Sequence, residues 1–168
     1  MRECGECTAC CEGWLPDKSL DMYAGKACAH CQSEGCAIYE TRPEEPCRTF
    51  QCAWLLDEEA FPAEMRPDQC GAIVLSARYW KEWNVMRAVP VGPMIPEPTL
   101  EWLRLFTKGK EVPLIFYERG LVDGVYTHTD RQRAYGSPEF AVAIKETVLR
   151  LGDTTETLFS ADDVVKFS

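Results

Sequence analysis

Nine of the ten cysteines in this 168-residue chain, Cys4, Cys7, Cys10, Cys11, Cys28, Cys31, Cys36, Cys47 and Cys52, fall within the first 52 residues. Only Cys70 lies beyond them. Disulfides, a redox couple or bound metal could each account for such density. A disulfide scaffold normally staples a whole fold, whereas these cysteines sit at one end of a chain long enough to bury a core of its own. A thiol–disulfide oxidoreductase needs a reactive cysteine at a helix start in a βαβ setting. The opening stretch "CGECTACC" precedes no such helix. Metal ligation is the reading that remains, and the spacing suits it. Cys4, Cys7 and Cys10 form C-x2-C-x2-C with Cys11 appended, Cys28-x2-Cys31 repeats the interval, and Cys36 and Cys47-x4-Cys52 complete the set. Two intervening residues let a tight turn aim both sulfurs at one ion while backbone N–H groups remain free to bond the thiolates.

Zinc takes four such ligands in a tetrahedron, and a cubane iron–sulfur cluster also takes four. Nine clustered cysteines therefore suffice for two sites with one over. The expectation is one or two zinc ions, with an iron–sulfur cluster in electron transfer or redox chemistry as the alternative, because thiolates suit both. The adjacent pair is a constraint in itself. Cα atoms across one trans peptide are about 3.8 Å apart and successive side chains diverge. Cys10 and Cys11 should thus serve different metals, or one should bind while its neighbour packs nearby. In the first case Cys4 and Cys7 partner one of the pair, and downstream cysteines complete both sites.

The segments "CGECTACC", "CAHC", "GCAIYETRP" and "CRTFQCAW" resemble the bacterial CxxCxxCC cysteine-cluster proteins, the YkgJ-like group of zinc- or iron-chelating domains. A similar motif occurs in a flagellin lysine methylase. The resemblance covers about residues 4–56, with a weaker echo at Arg66-Pro67-Asp68. It departs from the family pattern between Pro43 and Cys47, where three residues intervene instead of two. The family implies a chelating domain without naming a reaction.

The remaining candidates are weighed against ordinary structural roles. His30, between Cys28 and Cys31, is read as a neighbour of the ligands or an exposed residue more readily than as a ligand. Cys70 is read as a core thiol, since buried free cysteine behaves as a small hydrophobe. Arg42 and Arg48 either donate to metal-bound thiolates or lie solvated on the surface. Tyr39 and Trp54 are expected to pack beneath the cluster, and Trp80, Trp83 and Trp102 to serve the core. His128 is assigned no chemistry. No nucleophile elbow, zinc-protease helix, Walker loop or dinucleotide fingerprint occurs, so a binding protein is expected rather than an enzyme.

A formal net charge of −9, with no basic stripe, argues against nucleic acid as a partner. No apolar run approaches the roughly 20 residues of a spanning helix, and Met1-Arg2-Glu3-Cys4 has no apolar stretch of the signal-peptide kind. A cytoplasmic protein with no membrane association is expected, the metal ion being the partner and any protein partner unspecified.

The fold expected is α+β, an irregular Cys-rich segment packed on an antiparallel sheet with helices in the order ββαββα. Residues 1–56 form the metal-binding segment and residues 57–168 the body, together one compact unit. Burial alone cannot offset the ordering entropy of the first segment, which metal coordination at about 10 kcal/mol per site could. Ala53-Trp54-Leu55-Leu56 reads as a short helix or turn. Residues 71–79 and 83–89 read as a β-hairpin, and Thr99 as the cap of a helix from Leu100 to about Thr107. Residues 112–117 and 121–127 read as a second hairpin. Ser137-Pro138-Glu139 opens a helix that runs to about Leu151 and stops at Gly152. Both helices are expected on one face of the sheet, and the tail ends in a weak "DDVVKF" segment.

Overall fold

The computed structural model describes residues 2–127, 130–151 and 164–166. His128, Gly152 and, of "DDVVKF", Asp162, Asp163 and Phe167 lie outside them. The architecture is α+β, with an irregular N-terminal segment. That segment holds a wide turn over Cys10–Trp14, the two-residue strands β1 (Cys31–Gln32) and β2 (Gly35–Cys36), and a second turn over Glu44–Arg48. Two single-turn helices follow, α1 (Ala53–Leu56) and α2 (Pro67–Cys70). The body then runs β3 (Ala72–Trp80), β4 (Trp83–Pro90), α3 (Glu97–Gly109), β5 (Leu114–Glu118), a small hairpin of β6 (Leu121–Val122) and β7 (Val125–Tyr126), β8 (Arg131–Gly136), α4 (Pro138–Leu151) and β9 (Val164–Lys166). No helix of the described residues is long and apolar enough to cross a membrane.

The main sheet has the order β3-β4-β5-β8-β9. β3 and β4 form the expected hairpin, closing at Trp80 opposite Trp83, and β5 pairs antiparallel with β8. The β4–β5 and β8–β9 pairs are parallel, because α3 and α4 return the chain to the same end before the next strand starts.

Two local expectations are corrected. The partner of β5 is β8, whereas residues 121–126 fold back on themselves as a separate two-rung hairpin. The α3 helix begins at Glu97, with Pro98 in its first turn, where a missing N–H is harmless. Thr99 is therefore inside the helix, and its hydroxyl donates to the Cys70 carbonyl at 2.6 Å, pinning α3 to the end of α2. At the start of α4, Ser137 serves as expected, its Oγ accepting from the Phe140 N–H at 3.3 Å.

Strand alternation covers both faces of the sheet, so the helices are not confined to one. Ala72, Val74, Met86, Ala88, Leu114, Phe116 and Tyr135 point to one face and pack with Leu100 and Leu103 of α3 and with Phe61 and Met65. Val85, Ile115 and Ala134 point the other way, onto Phe140 and Ile144 of α4, where Trp80 and Trp83 meet the Phe140 ring edge-on at 5.6 and 5.3 Å. Farther along this second face, Ile73 and Val89 are covered by Ala9 and Cys52, with Cys7, Cys10, Trp14 and Leu15 alongside. The cysteine segment thus occupies sheet surface that α4 leaves open.

Candidate metal centre

The first turns follow from glycine and from local hydrogen bonds. Gly5, at φ +55°, lets the chain reverse so that the Cys7 N–H donates to the Cys4 carbonyl at 2.9 Å. The Thr8 hydroxyl and the Trp14 indole N–H both donate to the Glu12 carboxylate, at 2.6 and 2.9 Å, which closes the Cys10–Trp14 turn. Gly13, at φ +91°, admits a close approach by the next loop, in which Tyr23 and Lys26 exchange backbone hydrogen bonds. That loop delivers Cys28, whose N–H donates to the Cys11 carbonyl at 2.8 Å. The Cys31 N–H then bonds the Cys28 carbonyl, and Cys31 lies directly across β1–β2 from Cys36. Cys47 follows Pro46 in the Glu44–Arg48 turn, and Cys52 caps α1 with its carbonyl accepting from Leu55 and Leu56.

Trp14 fastens this segment to the body. Its ring meets Tyr126 edge-on at 5.3 Å, its carbonyl accepts from the Arg119 guanidinium, and Arg119 also pairs with Asp130 at 3.0 Å. At the other end, Arg2 donates to the carbonyls of Trp54 and Phe61 and lies over the Trp54 ring.

Eight of the nine candidate cysteines, Cys4, Cys7, Cys10, Cys11, Cys28, Cys36, Cys47 and Cys52, line one cavity of about 300 Å³. The ninth, Cys31, sits beside it on the β1–β2 hairpin. All ten cysteines are free thiols. Leu15, Met22, Ile38, Phe50 and Trp54 supply an apolar lining, and Arg42 is the cation among the lining residues.

Within the cavity the thiols fall into two neighbourhoods that part at the adjacent pair. Burial pushes the Cys10 thiol well above the ordinary 9.0, and repulsion from Cys52, Cys7, Cys11 and Cys4 adds to the rise. Burial also raises Cys11, to about 12, but its neighbours are Cys31, Cys36, Cys28 and Cys47. Cys52 and Cys4 are raised mainly by desolvation, and Cys4 is a charge neighbour of Cys52. Desolvation likewise leads the rise at Cys31 and Cys47, with Cys28 and Cys36 the neighbouring thiols in each case. Cys4, Cys7, Cys10 and Cys52 form an inner group, of which Cys7, Cys10 and Cys52 lie against the sheet; Cys11, Cys28, Cys31, Cys36 and Cys47 form an outer one. Partly buried thiols in mutual repulsion resist ionising unless a cation offsets both penalties, and a bound metal does so directly.

The donor set therefore fits zinc or an iron–sulfur cluster in chemistry and in number. Its geometry is not closed, for among the described residues no three His, Cys, Asp or Glu side chains stand close enough to clasp one ion as they are placed. Ligation would draw the sulfurs of each group inward.

The other candidates sort out by position. His30 lines the cavity, while Cys70 is buried in the core under α3 with its Sγ against the Met65 and Ala72 carbonyls. Burial raises the Cys4 and Cys47 thiols, and Arg42, which stacks on Tyr39 at 3.7 Å, works against that larger effect by favouring their thiolate forms. Arg48 is engaged elsewhere, donating to the carbonyls of Glu40 and Arg42. Two acids were not singled out by sequence. Asp68 presents its N–H and carboxylate to the Cys7 sulfur and is held by a two-pronged ion pair from Arg66, at 2.7 and 2.9 Å. Glu12 lies within charge range of Cys31. The Arg66-Pro67-Asp68 echo was the only signal that could have pointed to Asp68. No family profile, curated protein or solved structure matches this chain.

Proposed function

We propose that this chain is a metal-binding protein that holds zinc through cysteine thiolates, one ion on the inner group and one on the outer. The observation that carries the reading is the lining of a single cavity by eight free cysteines, divided between two neighbourhoods at Cys10 and Cys11. The motif resemblance to the CxxCxxCC chelating domains agrees with it. Zinc would supply charge compensation and a cross-link between segments distant in sequence, which is what an N-terminal region with few regular elements lacks. Arg42 would ease the residual negative charge, and the apolar lining would keep water from the inner thiolates. A reducing cytoplasm suits a chain whose cysteines remain thiols.

Elemental analysis paired with an absorption spectrum of anaerobically purified protein tests the reading. Zinc near two equivalents per chain in a colourless sample is the expected result. Iron with inorganic sulfide and visible absorption would replace zinc by an iron–sulfur cluster on the same cysteines. Neither metal, even after anaerobic reconstitution, would overturn the proposal.

A further inference from the structure

The two thiol groups differ in number and in support. The inner group has four members. Cys7, Cys10 and Cys52 belong to the apolar cluster built on Ile73 and Val89 of the sheet, and Cys52 is only 4% exposed at the start of α1. The outer group has five. None of the five belongs to an apolar cluster of the described residues. Four of them hang on short turns instead, Cys28 on one backbone bond to Cys11, Cys31 and Cys36 on a two-rung hairpin, and Cys47 on the turn after Pro46, while Cys11 lies within the Cys10–Trp14 turn. Segments with few buried contacts open at low free-energy cost, whereas segments in a packed core open only with the fold.

From this difference we infer that the inner group is a fixed structural site and the outer group an exchangeable one, carrying one thiol more than a tetrahedral ion requires, with a soft divalent cation such as zinc as its cargo. The inference rests on the metal-binding reading above. A spare thiol has two consequences. Loss of any one outer cysteine leaves four donors, so binding survives. The same spare thiolate can also replace a departing one, keeping the donor number at four while the ion is handed over.

The experiment uses the full chain, reduced and metal-free, loaded anaerobically with zinc and counted after removal of excess. Cys7→Ser and Cys52→Ser are each expected to lose one ion per chain. Cys28→Ser and Cys36→Ser are each expected to keep the full complement, and the Cys28→Ser/Cys36→Ser double variant to lose one ion. A chromogenic chelator added to the unsubstituted protein should withdraw its zinc in two phases of equal amplitude, and Cys7→Ser should retain only the faster. Near-ultraviolet circular dichroism of the Trp80–Trp83–Phe140 cluster checks that each variant keeps its body folded. If each single outer variant loses an ion, or the release has one phase, the asymmetry is wrong while zinc binding stands. If the unsubstituted chain takes up no zinc, the metal-binding reading itself falls.

Discussion

Replacing Gly13 by alanine should damage this protein far more than the same replacement at Gly5, and the comparison isolates one contact. Both glycines have positive φ, +91° and +55°, so alanine at either carries a backbone cost of about 1–2 kcal/mol. Both substitutions also reduce the freedom of the unfolded chain by about the same amount, roughly 0.4–1 kcal/mol in the stabilising direction. What differs is space. A Cβ at Gly5 meets nothing within 4 Å. One at Gly13 would stand 2.2 Å from the Tyr23 carbonyl oxygen and 2.5 Å from that of Lys26, where real Cβ contacts essentially never fall under 3.0 Å. Both obstacles are backbone, so no rotamer change relieves them. The Cys10–Trp14 turn and the Tyr23–Lys26 loop must part by close to an ångström, which overpacking costs place at about 2–3 kcal/mol. Gly5→Ala should therefore lower stability by about 1 kcal/mol or less, and Gly13→Ala by about 3 kcal/mol, in urea unfolding followed by tryptophan fluorescence. Because the displaced loop delivers Cys28 to Cys11, Gly13→Ala should also weaken zinc retention at the outer thiols. Equal costs for the two variants would refute the close approach, and with it the placement of the loop.

Asp130→Asn should destabilise by about 2 kcal/mol in the same assay, since it removes the charge opposite an Arg119 side chain that is 5% exposed; Asp130 is partly wet, which keeps the loss below that of a fully buried pair. The metal-free protein should lose stability in alkali. Burial raises Cys70 from 9.0 to about 11, so the unfolded chain gives up this proton first and the neutral thiol favours the fold. That contribution is fully present below pH 9 and fades between about pH 9 and 11, by roughly 3 kcal/mol. The stability of Cys70→Ala, measured as a difference from the parent, should narrow over that interval, and a pH-independent difference would contradict the assignment. Chelator treatment should expose residues 1–52 to protease before the body yields, and equal protection with and without chelator would mean that the segment folds without metal.

Much of this protein is legible from local chemistry. The C-x2-C intervals, the alternation that builds β3 and β4, the turn residues at Ser137-Pro138 and the core placement of Cys70 each depend on neighbours a few positions away, and the chain alone specifies them. The choice of β8 as the partner of β5 was hidden because Arg131-Gln132-Arg133 reads as polar, while Leu121 to Tyr126, the more strand-like run, closes on itself. Only the assembled sheet pairs the polar run, setting Arg131 opposite Glu118, Gln132 opposite Tyr117 and Arg133 opposite Phe116. The helices' division between two faces was equally out of reach, for it depends on which residues of each strand the whole sheet turns up or down. The cysteines show the same boundary. That Cys10 and Cys11 must diverge follows from one peptide unit, but which distant thiols each one meets does not. Cys52 reaches Cys10 because α1 lies against β3, and Cys28 reaches Cys11 because Gly13 lets a loop pass within contact of the backbone. Loop closure is nearly indifferent to chain length, so spacing cannot choose among such partners; the surface left open on the sheet does.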